Sequence, residues 1–406
     1  MELQPCHLTA KEAAEALGVT KATLYAYTSR GQLSSGPVPG RPRERCYDRE
    51  DIQRLRERKE ARRDPAKAAA RGLHWGSPVL ESNLTLIHDG KLYYRGEDAV
   101  KLAATATLEQ VADLLWGAEP AERELFAQPC LLSPKQLARL RACTRDPFTL
   151  LQISLPLASA ADLASYDLRP AAVRQTGARI VRLFTTLVAG RPWNTFSHLA
   201  LQAAWAPQKP AVGEVIRKAL VLCADHELNV SAFAARCTAS AAASPYETVA
   251  AALAALKGRR HGGASERVSA LFAETETPQR ARTVVAHRLR RGEDLPGFGH
   301  PLYPAGDPRA VLLLRLAEES GNQAEWRLVR ALSKAGSGLL HDLPNLDFGL
   351  TALARTYSLP DSAPLLLFAL GRTIGWIAHA IEQYASGVLI RPRARYTGPV
   401  VTGSRP

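Results

Sequence analysis

From about residue 97 onward, apolar residues recur at spacings of three and four, and prolines and glycines divide this pattern into segments. Such spacing places the apolar side chains on one face of a helix, whereas a strand would alternate apolar and polar residues. Alanine-rich segments, such as Ala171 to Gly190, are typical of helices that pack closely. The abundance of Ala and Leu also favours helices. The pattern predicts an all-α body.

The length of the chain predicts more than one domain, because 406 residues exceed the roughly 250–300 at which a single hydrophobic core stops growing. We place a small N-terminal domain over residues 1–62, a linker over 63–77 and the helical body over 78–406. Near the start of the body, Asp89-Gly90 lies between alternating apolar and polar residues and predicts a short β-hairpin.

The N-terminal domain is predicted to form two short helices, a connecting segment rich in Pro, Gly and Arg, and a third helix. Thr9 and Glu12 form a T-x-x-E capping box, and Gly18 ends the first helix. Thr20 can cap the second helix, and Asp48 can cap the third. The polar face of the second helix offers Lys21, Thr23 and Tyr27, and the connecting segment carries Arg41, Arg43 and Arg45.

This arrangement resembles the winged helix-turn-helix of MerR and excisionase proteins. The resemblance implies that the second helix enters the major groove of DNA and that the arginines contact phosphates, so these six residues are candidate DNA-binding residues. The alternative is a small helical module that docks on its own enzyme or on another protein. The net charge of +13 agrees with a polyanionic partner, but residues 1–71 carry only fifteen Lys and Arg against ten Asp and Glu. A general preference for Arg would explain the excess equally well.

Four polar segments of the body contain residue types that suit carbon–carbon bond formation. They centre on His226 in DHELNVSAFAAR, His261 in GRRHGGASE, His300 in PGFGHPLYPAGDPR and Asp347 in NLDF. A carboxylate can act as a base, and neutral imidazoles can donate hydrogen bonds to developing oxyanions. Taken singly, each residue is more often structural, as a loop or cap histidine or as an ordinary aspartate at a helix start.

The local sequence also predicts where these residues sit on helices. Asp225 can cap a helix that begins at His226. His261 lies near a helix N-terminus, where the dipole disfavours the imidazolium. Asp307 caps a further helix. Arg309 lies in the first turn of that helix and would point toward an anion together with the exposed backbone N–H groups. Asp347 lies near a helix start that lowers its pKa, so partial burial must restore its basicity.

These segments resemble, in the same order, the active-site segments of citrate synthases over about residues 78–398. The resemblance implies an all-α dimer or higher oligomer, with a small domain of roughly residues 263–357 that closes onto a large one. It implies that acetyl-CoA condenses with oxaloacetate to give citrate and CoA.

The same resemblance assigns roles to individual residues. Asp347 takes the proton from the acyl-CoA, His261 contacts the thioester oxygen, and His300 contacts the oxaloacetate carbonyl. Arg391 reaches across the dimer to the other subunit. The full set of residues implied to hold the substrate carboxylates is His226, Arg309, Arg372 and Arg391.

Two other functions remain open. A 2-methylcitrate synthase that uses propionyl-CoA would keep the same residues, because one extra methylene is worth only about 1–3 kcal/mol of discrimination in an apolar pocket. From a different class, the body could sense a ligand while the helix-turn-helix regulates transcription. Retention of all four chemical residue types favours the enzyme.

The remaining features limit the chemistry and the location. The six cysteines form no CxxC pair and no metal-ligand spacing, so we expect reduced, mostly buried thiols, no metal and no cofactor other than the acyl-CoA substrate. The first residues lack a signal-peptide pattern, and no continuous apolar run approaches the ~18 residues of a membrane span. A cytoplasmic location is expected.

Overall fold

The structure is a computed structural model that describes residues 7–30, 33–38, 41–48, 51–52, 55, 80–118, 125–394 and 397–399; for residues 7, 38, 41–44 and 127 it describes the backbone alone. The chain divides into two compact units. One unit comprises Met1–Glu81 together with Arg391–Pro406, and the other comprises Ser82–Ile390. Each is described separately below.

In the part of the first unit that the structure describes, two helices with complete bounds accompany a three-stranded antiparallel sheet. Asp51, Ile52 and Leu55 are also helical, and the rest of the predicted third helix and the predicted linker over residues 63–77 lie outside the described residues. The sheet has the order β1–β3–β2. Its strands are β1 (His7–Thr9), β2 (Ser35–Val38) and β3 (Arg41–Asp48), and its helices are α1 (Ala10–Leu17) and α2 (Lys21–Ser29).

The predicted helix caps of this unit are confirmed. Thr9 and Glu12 form the capping box, and Gly18 ends α1 with a φ of +61°. Thr20 accepts a hydrogen bond from the backbone of the third residue after it, and Asp48 accepts one from Asp51 at 3.3 Å. The Arg-rich connecting segment forms two paired strands that the sequence analysis did not predict. A small apolar core closes the unit, made of Ala13, Ala14, Leu17, Leu24, Leu33, Tyr47 and Ile52.

The second unit begins with the predicted β-hairpin. Strands β4 (Thr85–His88) and β5 (Lys91–Tyr94) pair antiparallel, and a two-residue strand β6 (Glu97–Asp98) pairs with β5. Asp89 and Gly90 have φ values of +50° and +70°. A two-residue turn of this handedness matches the twist of the strands, so the Asp-Gly prediction is confirmed.

The rest of this unit is helical, as predicted. Its helices are α3 (Ala99–Thr105), α4 (Leu108–Trp116), α5 (Pro134–Cys143), α6 (Pro147–Ala161), α7 (Pro170–Ala189), α8 (Ser197–Trp205), α9 (Val212–Cys223), α10 (Val230–Ser240), α11 (Pro245–Leu256), α12 (Ala264–Thr275), α13 (Ala281–Arg290), α14 (Pro308–Glu318), α15 (Gln323–Leu340), α16 (Leu346–Thr356) and α17 (Ala363–Ser386).

Helix α17 lies at the centre of the main core, against α7, α9, α10 and α11. It is long and apolar enough to span a membrane, but 94% of its most apolar stretch is buried inside the protein. The sequence did not indicate a helix of this length and hydropathy, because Arg372, His379 and small residues interrupt its continuous apolar run. Its burial identifies it as a core helix.

A second, smaller core lies among α12, α13, α15 and α16. Its buried side chains include Val268, Phe272, Val285, Leu332 and Phe348. These residues fall within the span predicted to form a small domain. The domain boundaries and the closing movement stay predictions.

Two local predictions are wrong. Asp225 does not cap a helix that starts at His226, because α10 begins at Val230 with Asn229 as its cap. Glu227 has a φ of +53°, in the left-handed region, which a continuous right-handed helix does not contain. His226 therefore lies in the loop between α9 and α10.

The other wrong prediction concerns the cysteines. All five that the structure describes are free thiols, but only Cys46 and Cys223 are buried, and Cys143 is exposed at the end of α5. Cys6 lies outside the described residues.

Candidate active site

The segment before His300 is joined to the segment before Asp347. The Asn345 N–H donates to the Gly297 carbonyl at 2.9 Å, and the Asn345 side-chain amide donates to the Gly299 carbonyl at 3.1 Å. The Oδ1 atom of Asn345 accepts the backbone N–H of Asp347 at 3.1 Å. One residue therefore caps α16 and holds the His300 segment beside it.

Asp347 lies in the first turn of α16, in surroundings that disfavour the ionised form of its carboxyl group. Its Oδ1 atom is buried, and none of the described residues donates a hydrogen bond to it. Burial raises the pKa of Asp347 to about 7, whereas Arg309 and the Ser265 hydroxyl lower it and Asp307 raises it. Burial therefore outweighs the position at a helix N-terminus, as the sequence analysis required.

His300 is held as a neutral imidazole with a defined tautomer. The backbone N–H of Leu302 donates to its Nδ1 at 3.2 Å. Burial lowers the pKa of His300 to about 4, and Arg309 lowers it further while Asp307 opposes this. A neutral imidazole carries one N–H, and because Nδ1 accepts, that proton lies on Nε2.

His226 lies against His300, with ring centroids 5.0 Å apart in an edge-on arrangement. Its Nε2 is 3.0 Å from the hydroxyl of Tyr303. Burial lowers the pKa of His226 well below its usual value, and the charges of Arg309 and Arg372 act in the same direction. His226 is therefore neutral as well.

His261 contacts the hydroxyl of Ser231, and the distance from its Nε2 to Oγ is 2.7 Å. The indole N–H of Trp376 donates to the same Oγ at 3.1 Å. Burial lowers the pKa of His261 to about 3, and the nearby charge of Arg372 contributes. The neutral state expected from the helix dipole is present, with burial as its largest cause.

Arg309 differs from its predicted pose. Its Nε and Nη2 donate to the two carboxylate oxygens of Asp307 at 2.9 and 2.8 Å, and the pair is buried. Asp307 also accepts the backbone N–H of Leu346 at 3.1 Å. Burial lowers the pKa of Arg309, but the charge of Asp307 more than offsets this and raises it overall. The guanidinium therefore pairs with Asp307, the residue that caps the helix of Arg309, and does not project outward. No described residue accepts a hydrogen bond from its Nη1.

Arg372 is buried in α17 with an unused donor. Its Nε donates to the Cys223 carbonyl at 2.8 Å, but none of the described residues accepts from its buried Nη2. Its guanidinium lies 4.9 Å from the ring of Phe368, which also contacts the ring of His261 at 5.6 Å. Burial lowers the pKa of Arg372, and Asp225 raises it. A ligand carboxylate would satisfy this donor.

The predicted residues thus fall into two groups. The structure brings together His226, His261, His300, Arg309, Arg372 and Asp347 through the contacts and charges above. Arg391 is exposed in the segment after α17 and belongs to the first unit by chain contacts, so its predicted place across a dimer stays a prediction.

The candidate DNA-binding residues lie in the first unit and differ in their exposure. Lys21 and Arg45 are exposed, and Arg45 donates to the Ser35 hydroxyl at 2.9 Å. Thr23 is half-buried beside Thr20, and Tyr27 packs partly against the small core, so the polar face of α2 is narrower than predicted. The side chains of Arg41 and Arg43 lie outside the described part of the chain.

Three residues of the candidate site were not predicted from the sequence: Tyr303, Ser231 and Trp376. Tyr303 lies three residues after His300, and Ser231 lies two after Asn229, so both were inside quoted segments. Their roles depend on contacts with distant residues, which no local pattern encodes. Trp376, four residues after Arg372 on α17, could have been found from helical spacing.

Two further observations bound the chemistry. A cleft of about 290 Å³ is lined by Ser265, Glu266, Ser269 and Leu365, and Ser265 also interacts with the carboxylate of Asp347. Among the residues that the structure describes, no group of three or more His, Cys, Asp or Glu is arranged to hold a metal ion.

Comparison with known proteins decides the family. The protein-family model described as "Citrate synthase, C-terminal domain" matches residues 72–393. The chain belongs to the citrate synthase family. A second model, described as "Helix-turn-helix domain", matches residues 8–60. Members of the citrate synthase family are acyltransferases that use acetyl-CoA as a substrate and need no cofactor.

Named relatives include both citrate synthases and 2-methylcitrate synthases. The citrate synthase of Haloferax volcanii is 33% identical over 363 residues, covering 81% of this chain and 95% of that protein. The 2-methylcitrate synthase of Mycobacterium tuberculosis is 31% identical over 342 residues, covering 76% and 84%. The two identities are too close to separate the substrates.

Solved structures of the family have the same fold. The crystal structure of citrate synthase from Thermotoga maritima superposes with a TM-score of 0.69 at 27% identity, covering 82% of this chain and 96% of that one. The citrate synthase from Pyrobaculum aerophilum gives 0.70 at 26% identity, covering 83% and 94%. The predicted fold class is confirmed.

Proposed function

We propose that this citrate synthase family member condenses acetyl-CoA with oxaloacetate to give citrate and CoA. The observation that carries the proposal is the state of Asp347. Its Oδ1 atom is buried and receives no hydrogen bond from any described residue, and its pKa is raised to about 7. A general base works best when its pKa lies near the working pH.

In the first step, Asp347 takes a proton from the α-carbon of the acyl thioester, and His261 donates a hydrogen bond to the enolate oxygen. A neutral donor suits this task because it stabilises the charge without releasing its proton too early. For this, the Ser231 hydroxyl, which donates to Asn229 Oδ1 at 2.7 Å, must turn its proton to Nε2 of His261, which also lies at 2.7 Å. The single imidazole proton is then on Nδ1, where it can face the substrate.

In the second step, the enolate carbon attacks the carbonyl of oxaloacetate. The Nε2–H of His300 polarises that carbonyl and then stabilises the alkoxide. The substrate carboxylates bind Arg372, Arg309 and His226, and the unpartnered Nη2 of Arg372 is the strongest support for this part. Water then hydrolyses the thioester, which releases CoA and citrate.

A homodimer in the cytoplasm is part of the same proposal. It would let Arg391 of one subunit reach a substrate held by the other. Apolar side chains that stay exposed on α6 and just after it support such an interface, since Leu157, Leu163 and Tyr166 are 49%, 79% and 71% exposed.

Acyl-CoA preference can be measured by following CoA release with oxaloacetate and either acetyl-CoA or propionyl-CoA. We expect kcat/KM to be at least about tenfold higher for acetyl-CoA, because a pocket fitted to a methyl group rejects one extra methylene by about 1–3 kcal/mol. Reactions without oxaloacetate control for simple thioester hydrolysis. A reversed ratio would identify a 2-methylcitrate synthase, and no release with either substrate would favour a ligand-sensing body.

We also propose that the N-terminal unit binds DNA. Exposed Lys21 on α2 and exposed Arg45 on β3 carry positive charge on the two elements that a winged helix-turn-helix uses. The match of residues 8–60 to a helix-turn-helix model supports the fold of this unit. Lys21 would contact the groove or its phosphates, and Arg45 would position the backbone.

This proposal predicts a salt-dependent affinity of the full chain for duplex DNA. Replacing Lys21 and Arg45 together by Ala should reduce the slope of log affinity against log salt by about two, because each lost contact releases one counterion fewer. The matched control replaces exposed Lys135 and Arg139 of α5. DNA titrations at several salt concentrations would measure the slope for both double variants. Equal slopes in the two variants would favour the docking-module alternative.

A further inference from the structure

Tyr303 occupies the centre of the oxaloacetate end of the site. Its hydroxyl is 3.0 Å from Nε2 of His226, and its ring centroid is 5.0 Å from that of His300. The guanidinium of Arg309 lies 5.5 Å from the same ring, within cation–π range. One side chain therefore touches three residues that are proposed to bind the substrate.

The backbone fixes Tyr303 in this place. Its N–H donates to the His300 carbonyl at 2.9 Å, and its own carbonyl accepts the Gly306 N–H at 3.0 Å. These two consecutive turns bring the ring beside the imidazole of His300. The side chain is only 3% exposed, so it has little freedom to leave.

The hydroxyl is a proton donor throughout the physiological range. Burial raises the pKa of Tyr303 to about 12, so the phenol stays protonated. His226 is neutral, and an imidazole nitrogen is a stronger acceptor than a phenol oxygen. The hydroxyl therefore donates to Nε2, which fixes both the ring orientation and the tautomer of His226.

We propose that Tyr303 is a positioning residue for oxaloacetate: its hydroxyl orients His226, and its ring supports His300 and Arg309. The inference rests on the proposed function and adds a residue to it. Tyr303 acts through its neighbours and has no part in the proton transfer at Asp347. Its loss should therefore weaken oxaloacetate binding and leave the acyl-CoA end of the site unchanged.

Tyr303→Phe tests this, because it removes the hydroxyl and keeps the ring. We expect the KM for oxaloacetate to rise about tenfold, the usual effect of one lost hydrogen bond to an ordered group, with the KM for acetyl-CoA unchanged. Tyr303→Leu also removes the ring contacts, so its KM for oxaloacetate should rise further, by about a hundredfold in all. Direct titration of oxaloacetate gives the same comparison without turnover.

Tyr384→Phe is the matched control. Tyr384 also has a pKa raised to about 12 by burial, and its hydroxyl donates to the Ala243 carbonyl at 2.6 Å, away from the residues above. Its KM for oxaloacetate should equal that of the wild type.

The outcomes separate the two proposals. An active wild type with an unchanged oxaloacetate KM in Tyr303→Phe overturns the inference alone. So does an equal rise in Tyr384→Phe, or an equal rise in the KM for acetyl-CoA, since each would indicate a general loss of structure. A wild type that neither releases CoA nor binds oxaloacetate overturns both proposals.

Discussion

The Asp347→Asn variant is expected to release CoA about 10³-fold more slowly than the wild type, because it keeps the shape of the side chain and removes the proposed base. The loss should appear in kcat, with the KM for oxaloacetate little changed, since other residues are proposed to contact oxaloacetate. Steady-state kinetics with acetyl-CoA would measure both values.

The pH dependence of the wild type should report the same carboxyl group. Asp347 must be ionised to act, and burial raises its pKa to about 7, so kcat/KM should fall about tenfold per unit as the pH drops below this value. His261 and His300 have pKa values lowered to about 3 and 4, so neither can produce a limb near neutral pH.

The same substitution should stabilise the protein at high pH. A carboxyl whose pKa is about 7 when folded and 3.8 when unfolded binds its proton more tightly in the folded state. The free-energy cost of keeping this carboxyl group ionised in the folded state is absent below pH 3.8 and grows as the pH rises. It is complete above pH 7, where it amounts to at most about 4 kcal/mol. Asn carries no such cost, so the variant should melt at a higher temperature than the wild type at pH 8.

Melting curves at pH 8 and at pH 4 provide the control, because the difference between the two proteins should shrink at the lower pH. An Asn variant that retains more than about a tenth of the wild-type kcat would remove Asp347 from the role of base. A variant less stable than the wild type at pH 8 would contradict the electrostatic account of its environment.

Gly375→Ala is expected to have the second large effect. Gly375 lies on α17 where its N–H donates to the Ala224 carbonyl at 3.0 Å. A Cβ at this position would lie 2.5 Å from that carbonyl oxygen and closer still to Oδ1 of Asp225. Both are backbone or buried groups that cannot move aside, so α17 must shift away from the end of α9.

This shift should lower both stability and activity. Overpacking of a core typically costs about 1–3 kcal/mol and occasionally more, and here it also pushes a buried carboxylate. Asp225 is adjacent to His226, and its Oδ2 accepts the Thr85 hydroxyl at 2.5 Å while Oδ1 faces His379 at 3.4 Å. Displacing this cluster would move the proposed oxaloacetate site, and a misplacement of about 1 Å can cost about 10²-fold in rate.

Gly338→Ala is the matched control, since Gly338 lies within α15 and an added Cβ meets nothing within 4 Å. Alanine should be neutral or stabilise the helix there by up to about 1 kcal/mol. Chemical denaturation and CoA release would be measured for both variants. Wild-type stability in Gly375→Ala would show that the close approach of α17 is not needed.

Local signals in the sequence predicted the parts of the fold that depend on neighbours in the chain. The capping box at Thr9, the turn at Asp89 and the cap at Asp307 each need only a few adjacent residues, and all are present. The helical periodicity predicted the all-α body for the same reason. The paired strands that carry the arginines were missed because residues 35–48 lack an apolar alternation.

The sequence singled out the segments of the candidate site but not their geometry. The structure places the segments around His300 and Asp347 side by side, whereas the pairing of Arg309 with Asp307 and the loop at His226 were not anticipated. Both depend on tertiary packing: Arg309 is buried with its own cap, and Glu227 adopts a left-handed backbone that propensity does not favour. The pKa of Asp347 likewise depends on burial, which sequence spacing cannot supply.

The position of α17 in the chain has a consequence for biosynthesis. Helix α17 supplies Arg372 and Trp376 to the candidate site and fills the centre of the main core, yet it is synthesised after the helices that it packs against. A growing chain that lacks it exposes the apolar surfaces of α7, α9 and α10, which makes such an intermediate prone to aggregation until α17 has been made. Premature termination upstream of residue 363 would therefore yield insoluble material and no partially active fragment.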